Sequence, residues 1–213
     1  DETTVGADTD CLLVNANGER FIDETLDRYT MTEALMQQPD EVLFLISDRD
    51  TSRVEGDYSY YGRSIQRLLD QGQLFRADTL EELADQMGCD RNTFAATVER
   101  YNSMAEAGED VDFDVPAQWL APVKTAPFYA TKNVCSTLTI PFGLHVNADS
   151  QVLTAEDEPI PGLFAIGNVQ GDFFGKDYPV HCPGVSHGRC VTFGQLVGEA
   201  CAKDTTIGEL DFA

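Results

Sequence analysis

The fold class of this chain is predicted from residues 159–203, which read PIPGLFAIGNVQGDFFGKDYPVHCPGVSHGRCVTFGQLVGEACAK. The order is a turn at Pro159–Gly162, a short apolar strand at Leu163–Ile166, a glycine-rich loop, and a helix that begins near Gly184. We expect the strand to be buried, because it is short and uniformly apolar rather than alternating. A strand, a loop and a helix in this order are typical of α/β folds.

The loop and the helix start have the features of a ligand-binding corner. Gly167, Gly171 and Gly175 allow positive φ angles or the close approach of a ligand to the backbone. Val185 and Ser186 open the helix, whose first N–H groups and positive dipole end can face an electron-rich group. The sequence therefore predicts a nucleotide or flavin site in this corner.

The composition disfavours several classes of partner. The chain has 213 residues, enough for one large domain or two small ones, and a formal net charge of −23. Nucleic acids and anionic lipid require basic residues, so neither is expected as a partner, and the acidity favours solubility. No apolar run approaches the roughly 20 residues of a membrane span, and no signal peptide is recognisable. The first residues, DETTVGADTD, resemble a linker or a cut end.

The six cysteines form no CxxC pair and are widely spaced, which favours buried thiols over a disulfide framework. Four residues could be interpreted as a zinc set: His181, Cys182, His187 and Cys190. Their intervals match no familiar zinc finger or ribbon, so no metal site is predicted and a metal-stabilised binding module is kept only as an alternative.

The rest of the chain predicts a mixture of helices and strands. Asn15–Gly18 joins two extended runs and predicts a hairpin. Residues 128–140 alternate and are rich in Thr and Val, which predicts a strand. Residues 78–81 have a capping-box pattern that begins a helix ending at Gly88. We also expect helices at 30–37, at 58–69 and from Asp90 onward, a strand at 41–47, irregular chain at 108–127, and a hairpin of 144–147 with 151–153.

Five motifs in this order carry a family resemblance: NGERFIDE, TLEELADQMGCDRNTFAATVERYNSM, FGLHVNADSQVL, PIPGLFAIGNVQG and VTFGQLVGEA. The sequence resembles the flavoprotein subunits of the fumarate reductase superfamily, which includes soluble fumarate reductases, urocanate reductases and FAD-dependent 3-ketosteroid Δ1-dehydrogenases. The resemblance implies an α+β capping domain over residues 1–139. It also implies that residues 140–213 are the C-terminal segment of an α/β, Rossmann-like FAD-binding domain.

The GxGxxG fingerprint of such a domain is absent and would lie upstream. The chain therefore looks like the C-terminal half of a larger flavoenzyme, and we expect it to hold FAD weakly by itself.

Enzymes of the family transfer hydride between flavin and a carbon–carbon bond activated by a carbonyl or carboxylate. Reductases of dicarboxylates resemble one another in a His before a Gly pair and in an Arg within the glycine-rich loop. This chain has Thr139–Gly143 in the first place and Gly175–Pro179 in the second, without either cation. A fumarate-type dicarboxylate is therefore disfavoured as the substrate.

Tyr178-Pro179 and Pro183-Gly184 are similar to the ketosteroid dehydrogenase loop, in which a Tyr hydroxyl and a Gly N–H hydrogen-bond the substrate ketone. The resemblance gives these roles to Tyr178 and Gly184. Extra residues lie between them, so His181 is an additional candidate contact. The alternatives are that Tyr178 only fills the loop and that His181 is an ordinary loop residue.

Family reductases use an Arg of the capping domain as proton donor, soon after a strand like 41–47. The resemblance points to Arg53, with Arg49 second; a solvent-exposed, salt-bridged Arg is the alternative. Glu24 and Arg28 resemble the family's proton-relay pair, and an ordinary ion pair at helical spacing is the alternative.

For the cofactor, Gly167 and Asn168 match the family's Gly–Glu pair, whose acidic residue hydrogen-bonds the FAD ribityl chain. Asn168 can still accept one hydrogen bond through its amide oxygen. Val185 and Ser186 would present N–H groups to the O2/N1 edge of the flavin.

Two functions remain open from the sequence. The chain is part of an FAD-dependent oxidoreductase acting on a bond conjugated to a carbonyl, with a small unsaturated substrate and an electron-transfer partner. Alternatively, it is a catalytically inactive fragment with a structural role. Localisation, cytoplasmic or exported, is undecided, as are the direction of the reaction and whether FAD is covalently bound.

Overall fold

The computed structural model describes residues 11–52, 54–59, 62–135, 142–174 and 182–210, with only the backbone for Arg28 and Glu55. The chain divides into two compact units, Asp1–Ser136 and Thr137–Ala213. Both helices and strands are present in the described residues, so the expected mixed α/β content is confirmed.

The first unit is built around a four-stranded antiparallel sheet with the strand order β1-β2-β6-β5. Its strands are β1 (Leu12–Asn15), β2 (Val42–Ser47), β5 (Leu74–Ala77) and β6 (Phe128–Val134). A separate two-stranded ribbon consists of β3 (Val54–Glu55) and β4 (Tyr58–Ser59).

All six residues of β2 are buried, because both faces of the sheet are covered. Phe44 and Ile46 belong to a core cluster on one face, and Leu43 and Leu45 belong to a cluster on the other. This two-sided burial explains why the sequence of the strand is continuously apolar rather than alternating.

Four helices pack around this sheet: α1 (Arg28–Leu35), α2 (Ile65–Asp70), α3 (Leu80–Met87) and α4 (Arg91–Ala107). The side chain of Asp90 accepts the N–H of Thr93 and caps α4, which buries Phe94, Val98 and Tyr101 at i, i+4 and i+7. Thr79 caps α3, and Gly88 ends it with a left-handed backbone conformation. The predicted helix around 30–37 is present as α1, two residues earlier, and the predicted helices that begin at the capping box of residues 78–81 and at Asp90 are confirmed.

The predicted helix over 58–69 is wrong in its first half. Tyr58 and Ser59 form β4, Gly62 has a φ of 72°, and the helix begins only at Ile65, where the side chain of Ser64 caps it. A glycine with positive φ ends the extended chain and separates it from the helix. The strand β5 was not expected from its sequence; it pairs with β6.

The second unit contains a short antiparallel pair, β7 (Gln151–Leu153) and β8 (Pro159–Phe164), and one long helix, α5 (Val185–Lys203). The predicted helix start near Gly184 is confirmed, since Gly184 is its N-cap. The prediction of a buried strand at Leu163–Ile166 is wrong, because β8 ends at Phe164 and Leu163 is 43% exposed. The strand has a single partner among the described residues, so its other edge and much of its surface are open.

The predicted hairpin of 144–147 with 151–153 is present as an antiparallel bridge between Val146 and Val152. Across the described residues, α5 and the other helices are each too short or too polar to span a membrane.

Candidate functional site

The chain turns sharply after β8, at a 3₁₀ turn formed by Gly167–Val169. Gly167 has a φ of 68°, and a Cβ at this position would lie 3.0 Å from Sγ of Cys190 on α5. Both the backbone conformation and the space therefore require glycine. The turn is packed directly on the amino-terminal half of α5.

A second backbone segment is held against this turn by two glycines. The N–H of Leu144 donates to the carbonyl of Val169, and the N–H of Gly171 donates to the carbonyl of Leu144, both at 2.9 Å. A Cβ on Gly143 would lie 2.2 Å from the oxygen of Val169, so the two main chains are in direct contact. These bonds fix the loop that follows β8 in one position.

Asn168 joins the turn to the start of α5. Its Oδ1 accepts a hydrogen bond from Ser186 Oγ at 3.2 Å and another from Arg189 Nη2 at 3.3 Å. Arginine can only donate, so the amide oxygen of Asn168 faces the helix and its NH₂ group points elsewhere. The structure thus brings together Asn168 and Ser186, two of the residues expected at a cofactor site.

Nothing in the sequence pattern singles out Arg189 as a site residue, although it is the most unusual side chain in this corner. It is only 4% exposed, and its guanidinium lies 4.9 Å from the ring centre of Phe173 and 4.4 Å from that of Phe174. Its Nε and Nη1 atoms are buried, and the described part of the chain provides no hydrogen-bond partner for them. A charged arginine in a helix of small and apolar residues, three positions after Ser186, is the signal that could have identified it.

The amino end of α5 adds further donors. Gly184, with a φ of 86°, has no side chain to cap the helix, while the N–H of Val185 donates to the carbonyl of Cys182 at 3.2 Å. The N–H groups of Ser186 and His187 belong to the first turn, where no intrahelical acceptor exists. These N–H groups, the helix dipole and the guanidinium of Arg189 together fit an electron-rich ligand.

Three of the predicted catalytic residues, Arg53, Tyr178 and His181, lie outside the described residues. Gly184, the fourth, is the N-cap of α5. Arg49, the second candidate for the proton donor, is exposed and pairs with the exposed Asp50.

The expected pairing of Glu24 with Arg28 stays a prediction, because the side chain of Arg28 lies outside the described part of the chain. Glu24 is buried and accepts two hydrogen bonds from Arg20, at 2.8 and 2.7 Å. Arg20 also contacts Asp110, so that one guanidinium serves two carboxylates in the core of the first unit. The carboxylate of Glu24 is therefore part of a buried structural cluster.

The two carboxylates of this cluster differ in acidity. Burial raises the pKa of Glu24 above its usual value and outweighs its bonds to Arg20. Burial also opposes ionisation of Asp110, but the hydrogen bonds from Arg20 and from the N–H groups of Asp112 and Phe113 lower its pKa to about 2. Burial is the largest influence on both carboxylates, and it prevails over the hydrogen bonds only at Glu24, although Glu24 also accepts the N–H of Leu13.

His145 of the second unit lies between two carboxylates. Its Nδ1 is 2.5 Å from Asp172 Oδ2, and its Nε2 is 3.1 Å from Asp157 Oδ1. The hydrogen bond with Asp172, and to a smaller degree that with Asp157, raises the pKa of His145. All three side chains are more than half exposed.

The zinc alternative depends on four residues, of which His181 lies outside the described residues. Cys182 and Cys190 are both exposed. Within the described ranges, no group of three or more His, Cys, Asp or Glu side chains is arranged to hold a metal ion.

The corner formed by β8, the turn and α5 carries several hydrogen-bond donors at the amino end of the helix. This arrangement is typical of flavin-binding proteins. Residues 9–179 match the family described as FAD binding domain, and the chain belongs to that family. FAD is the cofactor that this family binds, and the donors at the amino end of α5 fit its electron-rich groups.

More particular similarities place the chain in the fumarate reductase and 3-ketosteroid dehydrogenase flavoprotein superfamily. It is 30% identical to the urocanate reductase of Eggerthella lenta over 90% of this chain and 31% of that protein. It is similar to the 3-ketosteroid Δ1-dehydrogenase of Sterolibacterium denitrificans, solved with 1,4-androstadiene-3,17-dione (TM-score 0.73, 28% identity, 95% of this chain and 41% of that one). It is also similar to an open form of a flavocytochrome c3 fumarate reductase (TM-score 0.69, 29% identity, 92% and 33%).

The chain therefore spans between about a third and two fifths of the length of these relatives.

Proposed function

We propose that this chain is part of an FAD-dependent oxidoreductase that transfers hydride between flavin and a carbon–carbon bond conjugated to a carbonyl. The observation that carries the proposal is the corner between β8 and α5, where Asn168, Ser186 and Arg189 share hydrogen bonds beside the helix start. The match to the FAD binding domain family over residues 9–179 includes the turn at Gly167–Val169 and supports this interpretation, while α5 lies beyond the matched range. The three relatives described above are named for activities on unsaturated or steroid substrates.

We assign residues 1–139 to a capping domain and 140–213 to a segment of an FAD-binding domain. Exposed apolar side chains in the second unit support its assignment as part of a larger domain. A surface that faces only solvent rarely exposes many large apolar side chains. Val191 on α5 is 71% exposed. Five more large apolar side chains are exposed among the described residues of this unit: Phe142, Leu144, Leu163, Val169 and Phe173.

The residues of the corner would hold FAD in three ways. Gly167 leaves room for close packing of the turn on α5, and the N–H of Ser186 would face the electron-rich edge of the flavin, whereas the N–H of Val185 already donates to Cys182. Asn168 acts as a donor, because Ser186 and Arg189 already occupy its oxygen and leave only its NH₂ group for a cofactor hydroxyl. Bound FAD supplies the ability to accept or donate hydride.

On the substrate side, we propose that Tyr178 and the N–H of Gly184 hold the activating carbonyl oxygen, with His181 as an additional contact. Arg53 would supply or remove the proton on the other face of the reacting bond. An electron-transfer partner would reduce or reoxidise the cofactor between turnovers.

Purifying the full-length protein that contains this chain, and measuring its bound flavin and its activity on a set of substrates, tests this function. We expect an absorbance band of bound flavin, release of FAD on denaturation, and oxidation of reduced viologen by at least one conjugated substrate among urocanate, fumarate, cinnamate-type acids and ketosteroids. Fumarate should be a poor substrate. Absence of flavin, or flavin without turnover of any of these compounds, would instead support the inactive structural role.

A matched pair of variants tests the substrate contact. Tyr178→Phe removes the hydroxyl proposed to bind the carbonyl, and should lower kcat/KM on the order of tenfold or more. Tyr58→Phe removes the same group from an exposed position of the first unit and should have no effect. Equal kinetics for both variants would remove Tyr178 from the site.

A further inference from the structure

Arg189 is a buried cation without a carboxylate partner among the described residues. One nitrogen, Nη2, donates to Asn168, while Nε and Nη1 are buried and have no hydrogen-bond partner in the ranges that the structure describes. The rings of Phe173 and Phe174 lie within 5 Å of the guanidinium and provide part of its stabilisation. Burying a charge with unsatisfied donors is unfavourable, so this guanidinium calls for a partner beyond those that the described residues supply.

The position of this cation relative to α5 indicates where the partner binds. Arg189 and Ser186 donate to the same oxygen of Asn168, and Ser186 belongs to the first turn of the helix. The guanidinium is therefore next to the free N–H groups at the amino end of α5. Two independent features, a helix dipole and an unpartnered buried cation, favour negative charge at one place.

We propose that Arg189 raises the reduction potential of bound FAD. The proposal rests on the proposed function, because it requires FAD at the amino end of α5. FAD that takes up two electrons and one proton gains one negative charge. A fixed cation in a surrounding of low polarity stabilises that reduced form more than the oxidised form.

Asn168 contributes to this effect by being neutral. A carboxylate at position 168 would pair with the guanidinium and cancel its charge, whereas the amide oxygen orients Arg189 and leaves the charge uncompensated. The side chain at 168 thus controls how much of the positive charge of Arg189 reaches the ligand. This role is specific to the combination of Asn168 and Arg189 in this chain.

The test is the midpoint potential of FAD in the intact, FAD-loaded protein, measured by titration with dithionite in the presence of a reference dye. Arg189→Gln removes the charge, and we expect the reduced form to lose on the order of tenfold in affinity relative to the oxidised form. A tenfold change in the relative affinity for reduced and oxidised FAD corresponds to a fall of about 30 mV in the midpoint potential of the two-electron couple. Arg189→Lys keeps the charge and should retain most of the potential.

Two further variants separate charge from structure. Asn168→Asp leaves Arg189 in place but neutralises it, so the potential should fall as it does in Arg189→Gln, even if the latter is poorly folded. Lys203→Gln removes one positive charge from the exposed, opposite end of α5, where Lys203 pairs with Glu199, and should not change the potential. The dissociation constant of oxidised FAD and the melting temperature, measured in parallel, report on structural damage.

A potential that is equal in wild type, Arg189→Gln and Asn168→Asp, with FAD still bound, would overturn this proposal alone. Equal shifts in Arg189→Gln and Arg189→Lys would also overturn it, because they would reflect the shape of the side chain and not its charge. A wild-type protein that binds no FAD would overturn the proposed function and this inference together.

Discussion

Arg20 and Asp110 are 90 residues apart in the sequence, yet they form a bidentate ion pair in the core of the first unit. The distance from Nη1 to Oδ1 is 3.0 Å and that from Nη2 to Oδ2 is 2.7 Å. The same guanidinium contacts Glu24 and lies 4.8 Å from the ring centre of Phe113. The pair therefore ties the hairpin after β1 to the chain that follows α4.

Asp110→Asn should destabilise the protein by about 3 kcal/mol, because it removes one partner of a buried ion pair and leaves the charge of Arg20 less well balanced. The measurement is the free energy of unfolding from urea titration. Asp112→Asn is the matched control, since its partner Arg100 is largely exposed, and its cost should be below about 1 kcal/mol. Similar costs for both variants would contradict a special role for Arg20.

The same pair predicts a dependence of stability on acid. The pKa of Asp110 is about 2 in the folded protein against a usual value of 3.8, so its ionised form favours folding. This contribution, about 2 kcal/mol, is present above pH 4 and is lost as the pH falls towards 2. Urea titrations of wild type and Asp110→Asn between pH 6 and pH 2 should show curves that converge on acidification. Parallel curves would contradict the assignment.

Gly143→Ala should destabilise the second unit by several kcal/mol, because the added Cβ would lie 2.2 Å from the backbone oxygen of Val169. Gly198→Ala in α5 is the control, and it should stabilise the protein instead of destabilising it. Nothing lies within 4 Å of its added Cβ, and alanine favours the helix by about 1 kcal/mol. Melting curves of both variants test the contact. A Gly143→Ala protein as stable as wild type would show that the two main chains do not touch.

His145 should titrate above its usual pKa of 6.5, because its ring nitrogens face Asp172 and Asp157. Its charged form favours folding, so this stabilisation is complete below about pH 6 and is lost as the pH rises through the raised pKa. Titration of the imidazole resonances by NMR measures the value. Asp172→Asn should lower it towards 6.5, whereas Asp149→Asn, which removes a carboxylate that bonds Gly208 instead, should leave it unchanged.

Local patterns were sufficient for much of the fold. The predicted start of α4 at Asp90 and the apolar spacing of Phe94, Val98 and Tyr101 are as the structure has them, because caps and periodicity depend on neighbouring residues only. The turn at Asn15–Gly18 was predicted for the same reason, and Gly18 has a φ of 83°.

Relations between distant residues could not be obtained in this way. Glu24 has an arginine four residues before it and another four residues after it, so helical spacing favours neither. In the structure, Asp110 contacts Arg20 from another part of the core, and no spacing rule connects Asp110 to the hairpin.

Arg189 was missed for a related reason. An arginine on a helix is usually solvated, and only the packing of Phe173 and Phe174 over it shows that it is buried. In the candidate site, the glycines and the helix start could be read from the sequence, whereas the cation could not. Burial of the strand at Leu163–Ile166 was expected because its residues are uniformly apolar. Whether a strand is buried, however, depends on the elements that cover it.

The strand order of the first unit has a consequence during synthesis. β2 pairs on one side with β1, which precedes it in the chain, and on the other side with β6. β6 is synthesised only after α1, α2, α3 and α4. Until then, the backbone N–H and C=O groups along this edge of β2 have no permanent partner, and nascent chains can associate there. We expect this unit to fold late and slowly for its size, and to gain yield from chaperones that shield that edge.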